Sequence, residues 1–161
     1  MAFVLVPKDV QRLHVVLNQL RLRAAAQSCM VCDFSGHVLT EVGFDCHDQM
    51  LISALGAGVF AASRELARLL GENEFSSVIH QGERRSLFIC AVNNDILLVT
   101  VFSNSASVGL VKLYARPAVT ELHALFAGIQ ERGDSQPSNE QSFVLNDPKD
   151  WFGSPADASA P

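Results

Sequence analysis

The chain has 161 residues, a hydrophobic content of 48% and a mean hydropathy of +0.20, which predicts one ordinary globular core and not two domains. Its formal net charge is −5, and residues 133–161 contribute −4 of this, from five acids and one lysine. The predicted folded part is therefore close to neutral and lacks the basic excess that nucleic-acid binding requires. We also expect a cytoplasmic protein without membrane insertion, because the start lacks a basic region and no run approaches about 18 apolar residues.

The first elements are a helix and a hairpin. Apolar residues recur at steps of three and four between Lys8 and Ala26, which predicts an amphipathic helix. Two β-favouring runs then flank the turn former "DFSG", which predicts strands near 28–33 and 37–42.

The first predicted strand contains a Cys-x-x-Cys spacing, Cys29 and Cys32. Residues i and i+3 of a strand lie roughly 10 Å apart on opposite faces, which is too far for a disulfide. A zinc site would need a second pair of ligands from Cys46, His47, His80 or Cys90, at no recognisable spacing. We therefore assign no metal, and a thiol or zinc protein is the weakest of the alternatives.

The second predicted helix, residues 47–70 with Gly71 as its stop, is apolar on more than one side. We expect one bulky stripe to cover the sheet: Leu51, Leu55, Val59, Ala62, Leu66 and Leu69. Small residues form a strip beside it, and Phe60 points well away from it. Such a helix requires a second partner, so we predict association with itself or with another protein.

Three further strands and a third helix follow. The runs 75–82, 85–92 and 95–103 indicate an antiparallel meander, with His80 and Gln81 as edge polar residues and not an acid–base pair. Residues 108–130 show helical periodicity, and Pro117 should kink this helix or split it after Arg116.

The chain divides at the end of this pattern into a domain, residues 1–132, and an acidic tail, residues 133–161. The tail is polar and is expected to be mostly disordered, but apolar side chains regroup in a short motif at 143–152, which contains Phe143, Leu145, Trp151 and Phe152. This motif is either a clasp on its own domain or a tethered binding element.

The predicted order α-β-β-α-β-β-β-α is an α+β fold with a five-stranded antiparallel sheet between helices, and this layout resembles the Roadblock/LC7 fold. The segments "LLGENEF", "HQGER" and "ASVGLVKL" are similar to the bacterial gliding-motility protein B (MglB) group of that family, and the resemblance covers residues 8–132.

The resemblance implies a homodimer in which the second helices and third strands meet. Such a dimer binds one small Ras-like GTPase, MglA, accelerates its GTP hydrolysis and controls cell polarity or gliding motility, with a cell pole as an expected location. The protein itself would be no enzyme and carry no cofactor, because the partner holds GTP and Mg²⁺. A scaffold that recruits partners without stimulating hydrolysis is the alternative.

The resemblance also places site residues on the second helix and third strand. The expected partner-binding residues are Ala54, Ala57, Gly58, Ala61, Arg64, Glu65 and Arg68, and the expected dimer contacts are Phe60, Phe75, Val78 and Ile79. At Ser63, Arg64 and Glu65 the chain departs from the family, and a buried Glu65 would need a paired charge. Arg64, Arg68, Arg84 and Arg85 are formal arginine-finger candidates, but the group acts by repositioning GTPase residues, so we expect none to be catalytic.

Overall fold

The protein is described from a computed structural model that covers residues 3–45 and 48–135. The elements in chain order are α1 (Pro7–Arg23), β1 (Ser28–Asp33), β2 (Val38–Val42), α2 (Gln49–Leu69), β3 (Ser77–Gln81), β4 (Arg85–Ala91), β5 (Ile96–Ser103) and α3 (Val108–Ser135). The strands form one antiparallel sheet in the order β2-β1-β5-β4-β3. The predicted α+β fold and element order are confirmed.

Two separate cores lie on the two faces of the sheet. The larger core joins α1 and α3 to one face, and its fully buried side chains include Leu13, Leu17, Leu98, Leu122 and Phe126. The smaller core joins α2 to the other face through Met30, Cys32, Ala57, Phe60, Ile89, Leu97 and Val99. Burial of both faces explains why β1 and β5 are almost continuously apolar.

The hairpin turn between β1 and β2 anchors the start of α2. Asp33 accepts hydrogen bonds at its Oδ1 from the backbone N–H groups of Ser35 and His37, both at 2.9 Å. Gly36 has φ +88°, and a Cβ built there would lie 2.5 Å from the Cα of Ala54. The hydroxyl of Ser53 donates to the Gly36 carbonyl at 2.5 Å. Glycine is thus required both by the backbone conformation and by the close approach of α2.

The cysteines of the described residues are buried free thiols. Cys29 lies in the core beneath α1 and α3, whereas Cys32 lies beneath α2, so the prediction that they point to opposite faces is confirmed. Burial raises the pKa of the thiols of Cys29, Cys32 and Cys90 to about 12, which disfavours the reactive thiolate. Cys46 lies outside the described residues.

The sequence made one prediction about the end of α2 and one about Pro117 inside α3. The stop at Gly71 is confirmed: this residue has φ +76°, and the Glu72 N–H bonds to the Ala67 carbonyl at 2.9 Å in a Schellman arrangement. Pro117 was predicted to kink or split the third helix. The split is wrong, because α3 continues through Pro117 to Ser135, and the kink stays a prediction. The buried side chains of Ala115 and Ala118 on either side of the proline hold both halves on the same core.

A buried ion pair ties the start of α1 to the end of α3. Asp9 accepts hydrogen bonds from Arg132 and, at 3.0 Å, from the backbone N–H of Val6. Burial of Asp9 opposes its ionisation, but the Arg132 and Val6 hydrogen bonds outweigh this and hold the pKa of the carboxyl below its usual range. The charged form therefore stabilises the fold.

We expect Asp9→Asn to lower the free energy of unfolding at pH 7 by about 1–2 kcal/mol, a modest value because Arg132 remains half exposed. Since the folded pKa is lowered, this contribution is complete above the unfolded pKa near 3.9 and is lost as pH falls through the folded value. Urea unfolding at pH 7 and at pH 3 measures it, with the exposed Glu131→Gln as the control. An equal deficit of Asp9→Asn at both pH values would contradict this account.

Candidate partner-binding surface

Helix α2 packs on the sheet with its smaller side chains. The buried residues are Ser53, Gly56, Ala57, Phe60, Ser63 and Ala67. Phe60 is completely buried and meets the Phe34 ring edge to face, with 5.9 Å between ring centroids. The prediction that the bulky leucine stripe covers the sheet is therefore wrong.

Close approach explains this orientation. A Cβ added at Gly56 would lie 3.5 Å from Ile89 Cδ1, in ordinary contact, so the helix sits close to the sheet at this point. Small side chains permit that approach, and Phe60 fills the remaining space in the core. Two predicted site residues, Ala57 and Phe60, are consequently buried within the protomer and have no side chain to offer at its surface.

The opposite side of α2 carries an exposed apolar ridge, which we call the α2 ridge. Its four leucines are 55–71% exposed: Leu51, Leu55, Leu66 and Leu69. No charged residue occurs between Gln49 and Arg64, and by length and composition alone Gln49–Leu69 is apolar enough to cross a membrane, contrary to the sequence expectation. The core helix of a soluble domain passes the same test, and here one side of the helix packs on a sheet. An exposed apolar ridge of this length is typical of an association surface.

Six of the seven predicted partner-binding residues lie exposed on one flank of α2, beside the α2 ridge: Ala54, Gly58, Ala61, Arg64, Glu65 and Arg68. We call them the small strip, because its first three members have almost no side chain. Glu65 accepts a hydrogen bond from Arg68 Nε at 3.0 Å, so its charge is already paired. The guanidinium of Arg64 lies over the Phe34 ring, 5.4 Å from its centroid.

Strand β3 forms one edge of the sheet and pairs with β4 alone. Phe75, Val78 and Ile79, which the resemblance places at a dimer contact, are half-buried in or near this strand. Val78 packs against the α2 core, so β3 and α2 share one side of the molecule. An uncovered edge strand presents free backbone N–H and C=O groups to a second strand.

The remaining predicted residues lie away from this surface or outside the described residues. His80, Gln81, Arg84 and Arg85 are exposed around the β3–β4 connection. Within residues 3–45 and 48–135 no three or more His, Cys, Asp or Glu side chains are grouped as metal ligands. Phe143, Leu145, Trp151 and Phe152 lie outside the described residues, so the predicted tail motif and the domain boundary at 132 stay predictions.

Comparison with known proteins gives this surface a context. The family model of the Roadblock/LC7 domain matches residues 13–102, more than half of the chain. MglB of Myxococcus xanthus is 31% identical, with 78% of this chain and 96% of that chain covered and a TM-score of 0.72. Gliding protein MglB of Thermus thermophilus is 30% identical (79% and 97% covered, TM-score 0.73), and so is an MglB with a tetrameric arrangement (80% and 97%, 0.75). The chain therefore belongs to the Roadblock/LC7 domain family and, within it, is similar to bacterial MglB proteins.

Proposed function

We propose that the protein is a homodimeric, cytoplasmic regulator of a small Ras-like GTPase of the MglA type, that it accelerates GTP hydrolysis, and that it serves cell polarity or gliding motility. The observation that carries the proposal is the exposed apolar outer side of α2, in a chain 31% identical to an MglB protein. The α2 ridge is a row of four exposed leucines on one helix, and contiguous exposed apolar surface of this kind typically marks an association site.

Two uncovered features support the homodimer. One is β3, an edge strand of the sheet that pairs with β4 alone, and the other is the exposed α2 ridge. A second copy that pairs its β3 with this one continues the sheet, satisfies the free backbone groups and brings the two α2 helices toward each other. The solved MglB with a tetrameric arrangement shows that a similar protein self-associates.

The small strip supports a role by contact and not by a catalytic arginine. Arg64 is engaged with the Phe34 ring, and Arg68 is engaged with Glu65. An arginine finger must reach freely into the partner's active site, and removing one typically costs 10³-fold or more in rate. We infer that the protein acts by holding GTPase segments in position, with Ala54, Gly58 and Ala61 permitting close approach.

The direct test is the GTP hydrolysis rate of the MglA-type GTPase from the same organism, alone and with a twofold excess of this protein. We expect a large acceleration by the wild type, and the same acceleration within a few-fold by Arg64→Ala, Arg68→Ala, Arg84→Ala and Arg85→Ala. If one arginine variant still binds but falls to the background rate, that arginine is catalytic and the contact mechanism fails.

Two other outcomes revise the function itself. Tight binding without acceleration would make the protein an adaptor that recruits its partner. Absence of binding, while the GTPase hydrolyses GTP normally by itself, would remove the MglA-type partner and leave self-association as the role of the α2 ridge.

A further inference from the structure

A groove on the other side of the sheet has no part in the proposed GTPase contact. It has a volume of about 680 Å³ and lies between α3 and the start of β3, on the face opposite α2. Ser77, Phe88 and Cys90 form its floor, and Lys112, Leu113 and Arg116 of α3 form its wall. It exists because α3 leaves the edge strand partly uncovered on this face.

The wall of the groove combines positive charge with exposed apolar surface. Lys112 and Arg116 are one helical turn apart, and neither side chain forms an ion pair or hydrogen bond with any residue of 3–45 or 48–135. Leu113 between them is 61% exposed. No carboxylate lines this groove. Its chemistry therefore suits an acidic segment that carries a large apolar side chain.

The chain itself contains such a segment beyond Ser135. Residues 136–161 hold four acids and one lysine, and the only tryptophan of the protein, Trp151, directly follows Asp150 and precedes Phe152. A tryptophan side chain buries roughly 150–250 Å² of surface when it packs, so its burial is strongly favourable. Charge and side-chain type both match the groove.

The tail is long enough to reach it. Arg116 lies 19 residues before Ser135 in α3, which is roughly 28 Å along a helix that rises about 1.5 Å per residue. The 15 residues from Gln136 to Asp150 extend up to roughly 50 Å, at about 3.3 Å per residue. Trp151 therefore reaches the groove without strain when the tail runs back along α3.

We propose that the tail docks on its own domain, with Trp151 and Phe152 in the groove between α3 and β3 and the neighbouring acids against Lys112 and Arg116. The tail is then held on the face opposite the α2 ridge, and the strength of this contact sets how often Trp151 is presented to another protein. This inference does not depend on the proposed GTPase function.

A second groove, between α1 and α3, is the nearest competitor. It is smaller, about 540 Å³, and it also contains a cation pair one turn apart, Lys8 and Arg12. The carboxylate of Glu121 lines it, however, and would repel an acidic tail. This groove provides a matched control because the same double charge reversal can be made there.

Intrinsic fluorescence tests the proposal on the full chain, since its only tryptophan is in the tail. We expect Trp151 of the wild type to show a blue-shifted emission and weak acrylamide quenching relative to a synthetic peptide of residues 143–154. Lys112→Glu with Arg116→Glu should shift emission and quenching to the values of the peptide, whereas Lys8→Glu with Arg12→Glu should leave them unchanged. Leu113→Gln, which keeps the charges, should release the tail in part, and circular dichroism verifies that each variant is folded.

Several results would overturn the proposal. A wild type whose Trp151 is quenched like the peptide has a free tail. Shielding that survives both Leu113→Gln and the Lys112/Arg116 reversal places the indole elsewhere, and release by the Lys8/Arg12 reversal places it in the α1–α3 groove. Shielding that falls on dilution shows that Trp151 lies against a second copy of the chain.

Discussion

Phe60→Ala should lower the free energy of unfolding by about 3–5 kcal/mol, the usual cost of removing a fully buried phenylalanine. Phe60 is completely buried between α2 and the sheet and also meets the Phe34 ring edge to face. Because the small neighbours Gly56 and Ala57 already bring the helix close to the sheet, α2 has little freedom to collapse into the cavity. Urea unfolding followed by circular dichroism measures the loss.

Leu55→Ala on the α2 ridge is the matched control, since it truncates a large apolar side chain on the opposite side of the same helix. Its effect acts through association, so it should change with protein concentration, whereas the loss in Phe60→Ala should be the same at every concentration. If Leu55→Ala costs as much as Phe60→Ala and the cost is independent of concentration, α2 packs on the sheet with its leucines and the orientation described above is wrong.

The orientation of α2 shows where a single sequence stops being informative. Hydrophobic periodicity identified the helix and its stop at Gly71, because both depend on local properties. The same periodicity predicted the wrong buried side of α2, because the helix is apolar on both sides. The size of the apolar side chains alone does not show which side packs on the sheet. The missed signal was the set of small residues, Gly56, Ala57 and Ser63, spaced around one phenylalanine. Such a set is typical of close packing on a sheet.

Local geometry was predictable where it depended on few residues. The separation of Cys29 from Cys32 follows from the two-residue period of any strand, whatever the fold. The continuity of α3 through Pro117 did not follow, because packing on the larger core outweighs the missing N–H of one proline. The Asp9–Arg132 pair joins residues 123 positions apart, so no local pattern indicates it.

The role of the small strip in partner binding stays a prediction, and the structure gives the exposure of its residues. Six residues chosen from the sequence lie exposed on one flank of α2, and Ala57, the exception, lies beneath them in the core. At Glu65 the chain differs from the family, and a glutamate buried in a complex would need a paired charge. Arg68 provides that charge within the same helix. A partner that covers this flank therefore meets one neutralised pair, the Arg64 guanidinium over the Phe34 ring, and three small side chains.

Ala61→Arg should strongly weaken partner binding while the fold stays intact. Ala61 is exposed in the middle of the small strip, and arginine is almost as good a helix former as alanine, so the free protein loses little stability. A partner that approaches closely would meet a long charged side chain in place of a methyl group. A central contact of this kind typically costs 2 kcal/mol or more, so we expect affinity to fall by roughly 30-fold or more.

The affinity for the MglA-type GTPase, measured by titration in the presence of GTP and Mg²⁺, checks this expectation. Ala127→Arg is the matched control, because Ala127 is also an exposed helical alanine but belongs to α3, on the other face of the sheet. Equal affinity of Ala61→Arg and wild type would move the contact off the small strip. Equal losses in both variants would instead indicate that added positive charge, and not its position on α2, weakens the complex. Only a loss confined to Ala61→Arg identifies close approach along α2 as the basis of recognition.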